Sequence, residues 1–454
     1  MKTAISKTLF LTLILISGPV KAQTILDSYV KEGLANNIVL KQRNIALEKA
    51  MITLKIANSY FSPAIGVQGN YTSGNGGRSI AIPIGDFLNP VYSTLNQLTG
   101  SDNFSQIANV SQNFFPHNFY DAKVHTTLPL INMDLIYGKK ISQQYVALQE
   151  FEADIYKREL IKNIKVAYYN YLSATEVIKI YESALKRVEE GKRVNQSLLD
   201  NGKGLPAYVL RSQSEIETTN TQKADAERQV ENAQFHFNFL LNRNSNEVVR
   251  LTPDTQSEFT ELNLFAPDSL TIQNREELKM LRESIDLNNN IVKMNKLFWV
   301  PKMSGFLDLG SQAQDWKVNA ASRYYLFGVQ LDVPLFAGNR NRNKVKMNNL
   351  DLQMTQLNFS GNEQQINISA QTTKNNLYTA HQSYQSAQKQ QEAAMGYQKL
   401  IDKGYKEGVN TFIEAIDARN QLTQAQLQVS ITRYRVLSAA AQYEREIASY
   451  SLKN

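Results

Sequence analysis

Leu198-Leu199-Asp200-Asn201-Gly202-Lys203-Gly204-Leu205 closes a long proline-free run, and Leu400-Ile401-Asp402-Lys403-Gly404, followed by Gly408-Val409, closes another. The first five positions of the two segments match at an offset of 202, and Gly204-Leu205 matches Gly408-Val409 at 204. Further out, Leu128-Pro129-Leu130 matches Val333-Pro334-Leu335 at 205, and Tyr60-Phe61-Ser62-Pro63 matches Phe298-Trp299-Val300-Pro301 at 238. Ordered self-similarity at a nearly fixed offset marks a duplicated unit. The step from 205 to 238 places one insertion of 33 residues between Pro63 and Pro129, in a Ser-, Asn-, Gly- and Pro-bearing stretch from Ser73 to Asn118. Its twin, around Ser311 to Arg323, is short.

The outer anchors bracket alternating runs. Ile65, Val67, Gly69 and Tyr71 alternate with Ala64, Gly66, Gln68, Asn70 and Thr72, and Tyr120, Ala122, Val124, Thr126 and Leu128 with Asp121, Lys123, His125 and Thr127. In the second half Gly305, Leu307 and Leu309 stand against Ser304, Asp308 and Gly310, then Tyr325, Phe327, Val329, Leu331 and Val333 against Gly328, Gln330 and Asp332. A period of two with one apolar face predicts four strands. A half-buried soluble hairpin and a membrane strand share that pattern. Tyr60, Phe61, Phe298 and Trp299, just before the strands, favour the membrane, because aromatic side chains gather at the headgroup level. Four strands cannot close a barrel, which takes about eight, so several copies must share one.

Most of the remainder reads as helix. The runs Asp134 to Asp200 and Asn341 to Lys403 lack proline, and each is roughly 90 to 100 Å long if continuous. Helices return from Ala207 to about Leu241 and from Thr411 to about Tyr450. Leu148, Phe151, Ile155, Leu160, Ile164, Ala167 and Tyr171 recur at steps of three to five residues, and Ala370, Ala380, Ala387, Ala393, Ala418 and Ala425 allow close approach, which predicts antiparallel coiled-coil packing. Asn242 to Ser269, with Pro253 and Pro267, breaks the period and is expected to form a belt on the helices.

Composition narrows the function classes. Lys2 and Lys7, the apolar run Leu9 to Ile16 and Val20-Lys21-Ala22 predict a signal peptide over 1–22, with the mature chain starting at Gln23. Removing its three lysines takes the formal charge from +7 to about +4, too little to argue for nucleic acid. There is no cysteine, so disulfides, a thiol nucleophile and a lipid-attachment thiol are excluded. Past the signal no apolar stretch of about 18 residues occurs, which excludes a spanning helix and leaves a barrel open. His117, His125, His236 and His381 are dispersed with no ligand spacing, and neither a metal centre, a cofactor nor a catalytic constellation is predicted. Gly74-Asn75-Gly76-Gly77-Arg78 lacks the Lys-Ser/Thr pair of a phosphate loop.

Taken together, two strand pairs, two helical hairpins with Gly turns, the duplicated plan and the signal peptide resemble the TolC-type outer-membrane efflux proteins. Leu331-Asp332-Val333-Pro334-Leu335-Phe336-Ala337-Gly338-Asn339-Arg340 is similar to that family's strand-to-helix junction. The resemblance covers essentially the whole mature chain. It implies a mixed fold, a membrane β-barrel plus a long α-helical coiled-coil barrel. Four strands and two long helical hairpins per chain would close, in a homotrimer, a twelve-stranded barrel continuous with a twelve-helix periplasmic tube. It also implies a periplasmic adaptor, an inner-membrane transporter and outer-membrane lipid as partners, and no hydrolysis by this subunit. The expected division is a signal peptide (1–22), an N-terminal periplasmic helix (23–62), a first strand pair with a long extracellular loop (63–130) and a first helical hairpin (131–241). An equatorial segment (242–270), a second-repeat helix (271–300), a second strand pair (301–336) and a second hairpin with the C-terminal end (337–454) follow.

Glu414 and Asp417 stand at i and i+3 after the Gly408 turn, so both carboxylates can share one face, and three copies would make rings. In the resembled family this region, aligned through Gly408 and Ala418, carries acids that line the periplasmic entrance; alternatively, acids at a helix start only complement its dipole. Where some members hold the entrance shut with an Asp and an Arg, this chain has Leu210 and Asn410, leaving Tyr405, Lys403 and Arg211 as other gate contacts. Gly202, Gly204 and Leu205, with Gly404, Gly408 and Val409, mark the adaptor-docking tips, or simply turns in which glycine permits a tight reversal. In the 73–118 loop, Ile80, Ile82, Ile84, Phe87 and Leu88 suggest a lid over the barrel mouth or ordinary loop packing. Arg340, Arg342, Lys344 and Lys346 form a basic run at a helix start, with solvation as its default role. The function expected is a passive gated conduit for small molecules such as drugs or toxic compounds. A type I protein-secretion conduit of the same architecture and a non-channel periplasmic coiled-coil adaptor are the alternatives; the repeat argues against the latter.

Overall fold

A computed structural model describes residues 25–115, 117–251, 272–450 and 452. The expected signal peptide and most of the 242–270 segment lie outside the described residues. The chain divides into two compact units: 1–47, 148–282 and 357–454, and 48–147 with 283–356.

The second of these holds a four-stranded antiparallel sheet in the order β1-β4-β5-β6, made of β1 (Ala64–Thr72), β4 (Phe119–Ile131), β5 (Lys302–Gln314) and β6 (Arg323–Asp332). The register pairs Val67 with Val124, Val124 with Leu309 and Leu309 with Tyr325, so these residues line up across one face. Lys123, Gly310 and Tyr324 line up on the other, next to His125 and Asp308. The apolar face is bare: Val67 is 84% exposed, Phe327 73% and Val329 62%. The polar face is internally satisfied, since Asp308, 3% exposed, accepts from Lys123 Nζ at 2.8 Å and meets His125 Nδ1, and Tyr324 donates to Asp121 at 2.7 Å. A soluble sheet has these exposures the other way round. A bulge at Leu130 breaks the β4–β5 register between Pro129 and Ile131. Trp316, just beyond β5, stacks on both Tyr71 and Tyr120, with ring centroids at 5.4 and 5.5 Å.

Between β1 and β4 the expected loop is built rather than irregular. It contains a ribbon of β2 (Ser79–Ile82) and β3 (Val110–Asn113) enclosing α3 (Ile84–Thr99), which ends on Gly100 at φ +61. Asn89 and Asn96 each clasp the backbone of the return segment, Asn89 at Ile107 (2.8 and 2.9 Å) and Asn96 at Phe104 (2.8 and 3.0 Å). These side chains supply the partners that a loop backbone otherwise takes from water.

The other unit is helical. Its elements are α1 (Ile25–Asn36), the start of α2 (Ile38–Ser59), most of α4 (Met133–Asp200), α5 (Pro206–Leu241), the start of α6 (Glu276–Lys296), most of α7 (Arg340–Lys406) and α8 (Phe412–Glu446). The main core gathers Tyr29, Val30, Leu160, Ile164, Tyr168, Phe237, Leu241 and Leu437. Of the apolar stripe read on α4, Leu160, Ile164, Ala167 and Tyr171 are buried. Ala370, Ala380, Ala387 and Ala418 are 0–4% exposed, as close helix approach requires. Gly33 admits Ile164, whose Cδ1 would lie 2.3 Å from any added Cβ. Val249, after α5, is buried in this core. Arg275, 3% exposed, is held by Glu277 and Glu446, and Arg445 bridges Glu159, Glu277 and Glu446.

Candidate functional site at the helical turns

The α4–α5 turn is closed by two backbone bonds, Lys203 N–H to Leu198 O at 2.8 Å and Gly202 N–H to Leu199 O at 2.9 Å, a Schellman-type ending with Gly202 at φ +71. Gly204 is a glycine for a different reason: an added Cβ would lie 2.7 Å from the Leu199 backbone nitrogen. Leu205 is extended, at φ −107 and ψ 138, and Pro206 opens α5 at the position where its missing N–H costs nothing. The α7–α8 turn repeats the device. Val409 N–H donates to Gly404 O at 2.8 Å and Gly408 N–H to Tyr405 O at 3.1 Å, with Gly408 at φ +79. At Gly404 a Cβ would meet Asn410 Oδ1 at 2.0 Å.

α8 begins with a capping box. Glu414 N–H donates to Thr411 Oγ1 at 3.3 Å, while Glu414 Oε2 accepts from Thr411 N–H at 2.7 Å and from Asn410 Nδ2 at 3.2 Å. The Thr411 backbone N–H, then Asn410 and the Thr411 hydroxyl, hold the Glu414 carboxyl below the usual carboxylate range. Asp417, one turn on, is exposed and accepts from Gln421 at 2.6 Å. It lines an open groove of about 780 Å³ between α7 and α8, with Tyr397, Ala393, Ala394 and Ala425. The two turns share a small core in which the Phe412 ring lies 4.5 Å from Tyr208 and 6.1 Å from Tyr405. Leu205, Leu210, Val409 and Ile413 are 54–78% exposed beside it.

Residues 269–445 match the family model described as outer membrane efflux protein. Two proteins of Pseudomonas putida, the toluene efflux pump outer membrane protein TtgF and the probable efflux pump outer membrane protein SepC, are each 21% identical over 323 residues, 69% of this chain and 67% of theirs. Among solved structures CusC superposes with a TM-score of 0.78, covering 94% of this chain and 92% of its own at 14% identity. The Campylobacter jejuni channel CmeC gives 0.73 over 95% and 87% at 15% identity. The chain takes the fold of the TolC-type channels.

In this chain the residues that tie the two turns together were not singled out from sequence, apart from Tyr405. The Tyr405 hydroxyl donates to Asn195 Oδ1, Asn195 Nδ2 donates to Ser212 Oγ at 2.7 Å, and Ser212 Oγ donates to Tyr208 O at 2.9 Å. One polar chain therefore crosses α7, α4 and α5, with Asn195 and Ser212 at 2% and 1% exposure. Burial pushes the Tyr405 phenol up. Beside it Arg419, 6% exposed, reaches Asp402 at 3.4 Å. Burial also raises the Glu215 carboxyl, whose Oε1 has no hydrogen-bond partner among the described residues. One signal was available: Gly191 sits inside α4, where glycine is unfavourable, and its missing side chain makes room for Arg419, whose Nη1 would lie 2.2 Å from a Cβ there.

Proposed function

We propose that this chain is the outer-membrane channel subunit of a tripartite export system, a passive gated conduit for small molecules such as drugs or toxic compounds. The observation that carries the reading is the sheet: one bare apolar face, one satisfied polar face, and two edge strands, β1 and β6, without strand partners among the described residues. In lipid an open edge leaves N–H and C=O groups unsatisfied at a cost of several kcal/mol each, so the edges must be closed by further copies. Three copies of a duplicated four-stranded unit give twelve strands, within the range of outer-membrane barrels. The barrel lies in the outer membrane and the helical hairpins form a tube in the periplasm. The efflux-pump names of the P. putida relatives support export.

The turns are the periplasmic end of that tube. Their exposed Leu205, Leu210, Val409 and Ile413 are the surface an adaptor takes hold of, and an inner-membrane transporter supplies the energy. Asp417, which no cation neutralises among the described residues, is the acid that lines the entrance, and Glu414 adds its charge while capping α8. The buried Tyr405–Asn195–Ser212 chain holds the hairpins together in the resting state. The test is single-channel recording in a planar bilayer, comparing wild type with Asp417→Ala and Glu414→Ala/Asp417→Ala. Small cation-selective currents that lose selectivity with the acids are expected. A soluble monomer giving no current would sink the channel, and unchanged selectivity would remove the acidic entrance.

A further inference from the structure

The basic run at the start of α7 is placed at an electrostatic cost. Arg340, Arg342, Lys344 and Lys346 occupy the first two turns of a 67-residue helix whose first turn contains no acid. The helix dipole disfavours cations there and favours anions. Among the described residues none of these four side chains has an ion-pair partner. Beside them is a groove of about 440 Å³, floored by Phe298, Leu335 and Phe336 and rimmed by Lys296, Arg342 and Lys346, with no carboxylate in its lining. Leu335 and Phe336 are 89% and 82% exposed, among the barest apolar side chains of the chain. The groove is rigid at its back: Asn341 Nδ2 donates to Asn295 O at 2.8 Å, tying the start of α7 to the end of α6. It lies directly past the end of β6 at Asp332.

We propose that this groove binds an anionic phospholipid of the periplasmic leaflet, its phosphate on Lys296, Arg342 and Lys346 and its acyl chains along Phe298, Leu335 and Phe336. The inference rests on the reading of the sheet as membrane-spanning. Charge complementarity selects the ligand, because Arg342 and Lys346 at the start of α7 and Lys296 at the end of α6, without ion-pair partners among the described residues, call for an anion. The apolar floor selects among anions, because a free phosphate would leave Leu335 and Phe336 in water, while an acyl chain covers them. A neutral lipid would cover the floor and leave the cations unanswered.

The test compares wild type with Lys296→Ser/Arg342→Ser/Lys346→Ser and with Leu335→Ser/Phe336→Ser, each purified as the full oligomer in mild detergent. Phospholipid retained per chain is measured by lipid mass spectrometry, and the delipidated oligomers are titrated with phosphatidylglycerol, phosphatidylcholine or inorganic phosphate while Tm is followed. Wild type is expected to retain phosphatidylglycerol and to gain Tm with it alone. The triple variant should bind roughly a hundredfold more weakly, at about 1 kcal/mol per cation near an anionic lipid. Arg342→Lys should keep binding, and bilayer conductance of the triple variant should match wild type, which separates loss of this site from loss of the channel or the fold. Equal retention by wild type and triple variant overturns the proposal, as does equal protection by inorganic phosphate. So does a thiol at Leu335→Cys that stays closed to a bulky maleimide after delipidation, because a second copy would then cover the groove.

Discussion

Gly202, Gly204, Gly404 and Gly408 look alike in the sequence, and the structure divides them. Gly202 and Gly408 take positive φ, whereas Gly204 and Gly404 are needed because a neighbour occupies the place of a Cβ. Periodicity and turn chemistry announce a reversal, but only packing tells which glycine bends the chain and which gives way to it. Gly204→Ala is therefore expected to cost about 1–3 kcal/mol through overpacking against the Leu198–Leu199 backbone. The check is thermal unfolding together with faster amide exchange in residues 198–206. Glu215 supports a prediction with a sign. Burial raises its folded pKa above the ordinary 4.5, so the contribution of its protonated form is complete below the unfolded value and is lost as pH rises through the folded one. Glu215→Gln should thus raise Tm at about pH 7 and give little difference below about pH 4; a gain at acid pH alone would contradict it. Arg419, Asn195 and Ser212 could not be read from a heptad pattern, because a buried polar chain occupies the same seam positions as apolar residues.

At the scale of elements, alternation was the most legible signal. The residues read as two faces of four strands are the two faces of the sheet, because a strand's period of two leaves no other arrangement once the register is set. The 73–118 stretch was the least legible. Its Asn, Ser and Gly content and Pro90 argue for irregular chain, yet Ile84, Phe87, Leu88, Val91 and Leu98 form one stripe of α3. What composition hides is that two asparagines a heptad apart, Asn89 and Asn96, act as backbone partners. Asn89→Ala/Asn96→Ala removes four hydrogen bonds worth about 1 kcal/mol each. The excursion should then be cut within residues 101–109 by a protease at doses that leave wild type whole, with the circular dichroism of the rest unchanged.

For the whole molecule, the length of the helical runs and the paired strands announced the architecture, while the ion-pair group of Arg275, Arg445, Glu277 and Glu446 did not, because its members come from distant parts of the chain. The open edges carry the largest prediction. Since the chain has no cysteine, one placed at Val67 on β1 can be paired in turn with one at Tyr325, Phe327 or Val329 on β6. Oxidation in membranes should give a ladder ending at three chains for the register that places the two thiols together. A ladder running on, or monomer alone at every register, would contradict a closed trimer. The sheet also carries its own depth gauge. The chain has two tryptophans, Trp299 just before β5 and Trp316 just after it. Thirteen residues of strand span about 43 Å, or about 30 Å of depth at a 45° tilt, the thickness of a hydrocarbon core. In the proposed barrel one indole would therefore sit at each water–lipid boundary, Trp299 exposed and Trp316 stacked on two tyrosines, so that lipids brominated at graded depths would read the position and tilt of the barrel wall from the protein's own fluorescence.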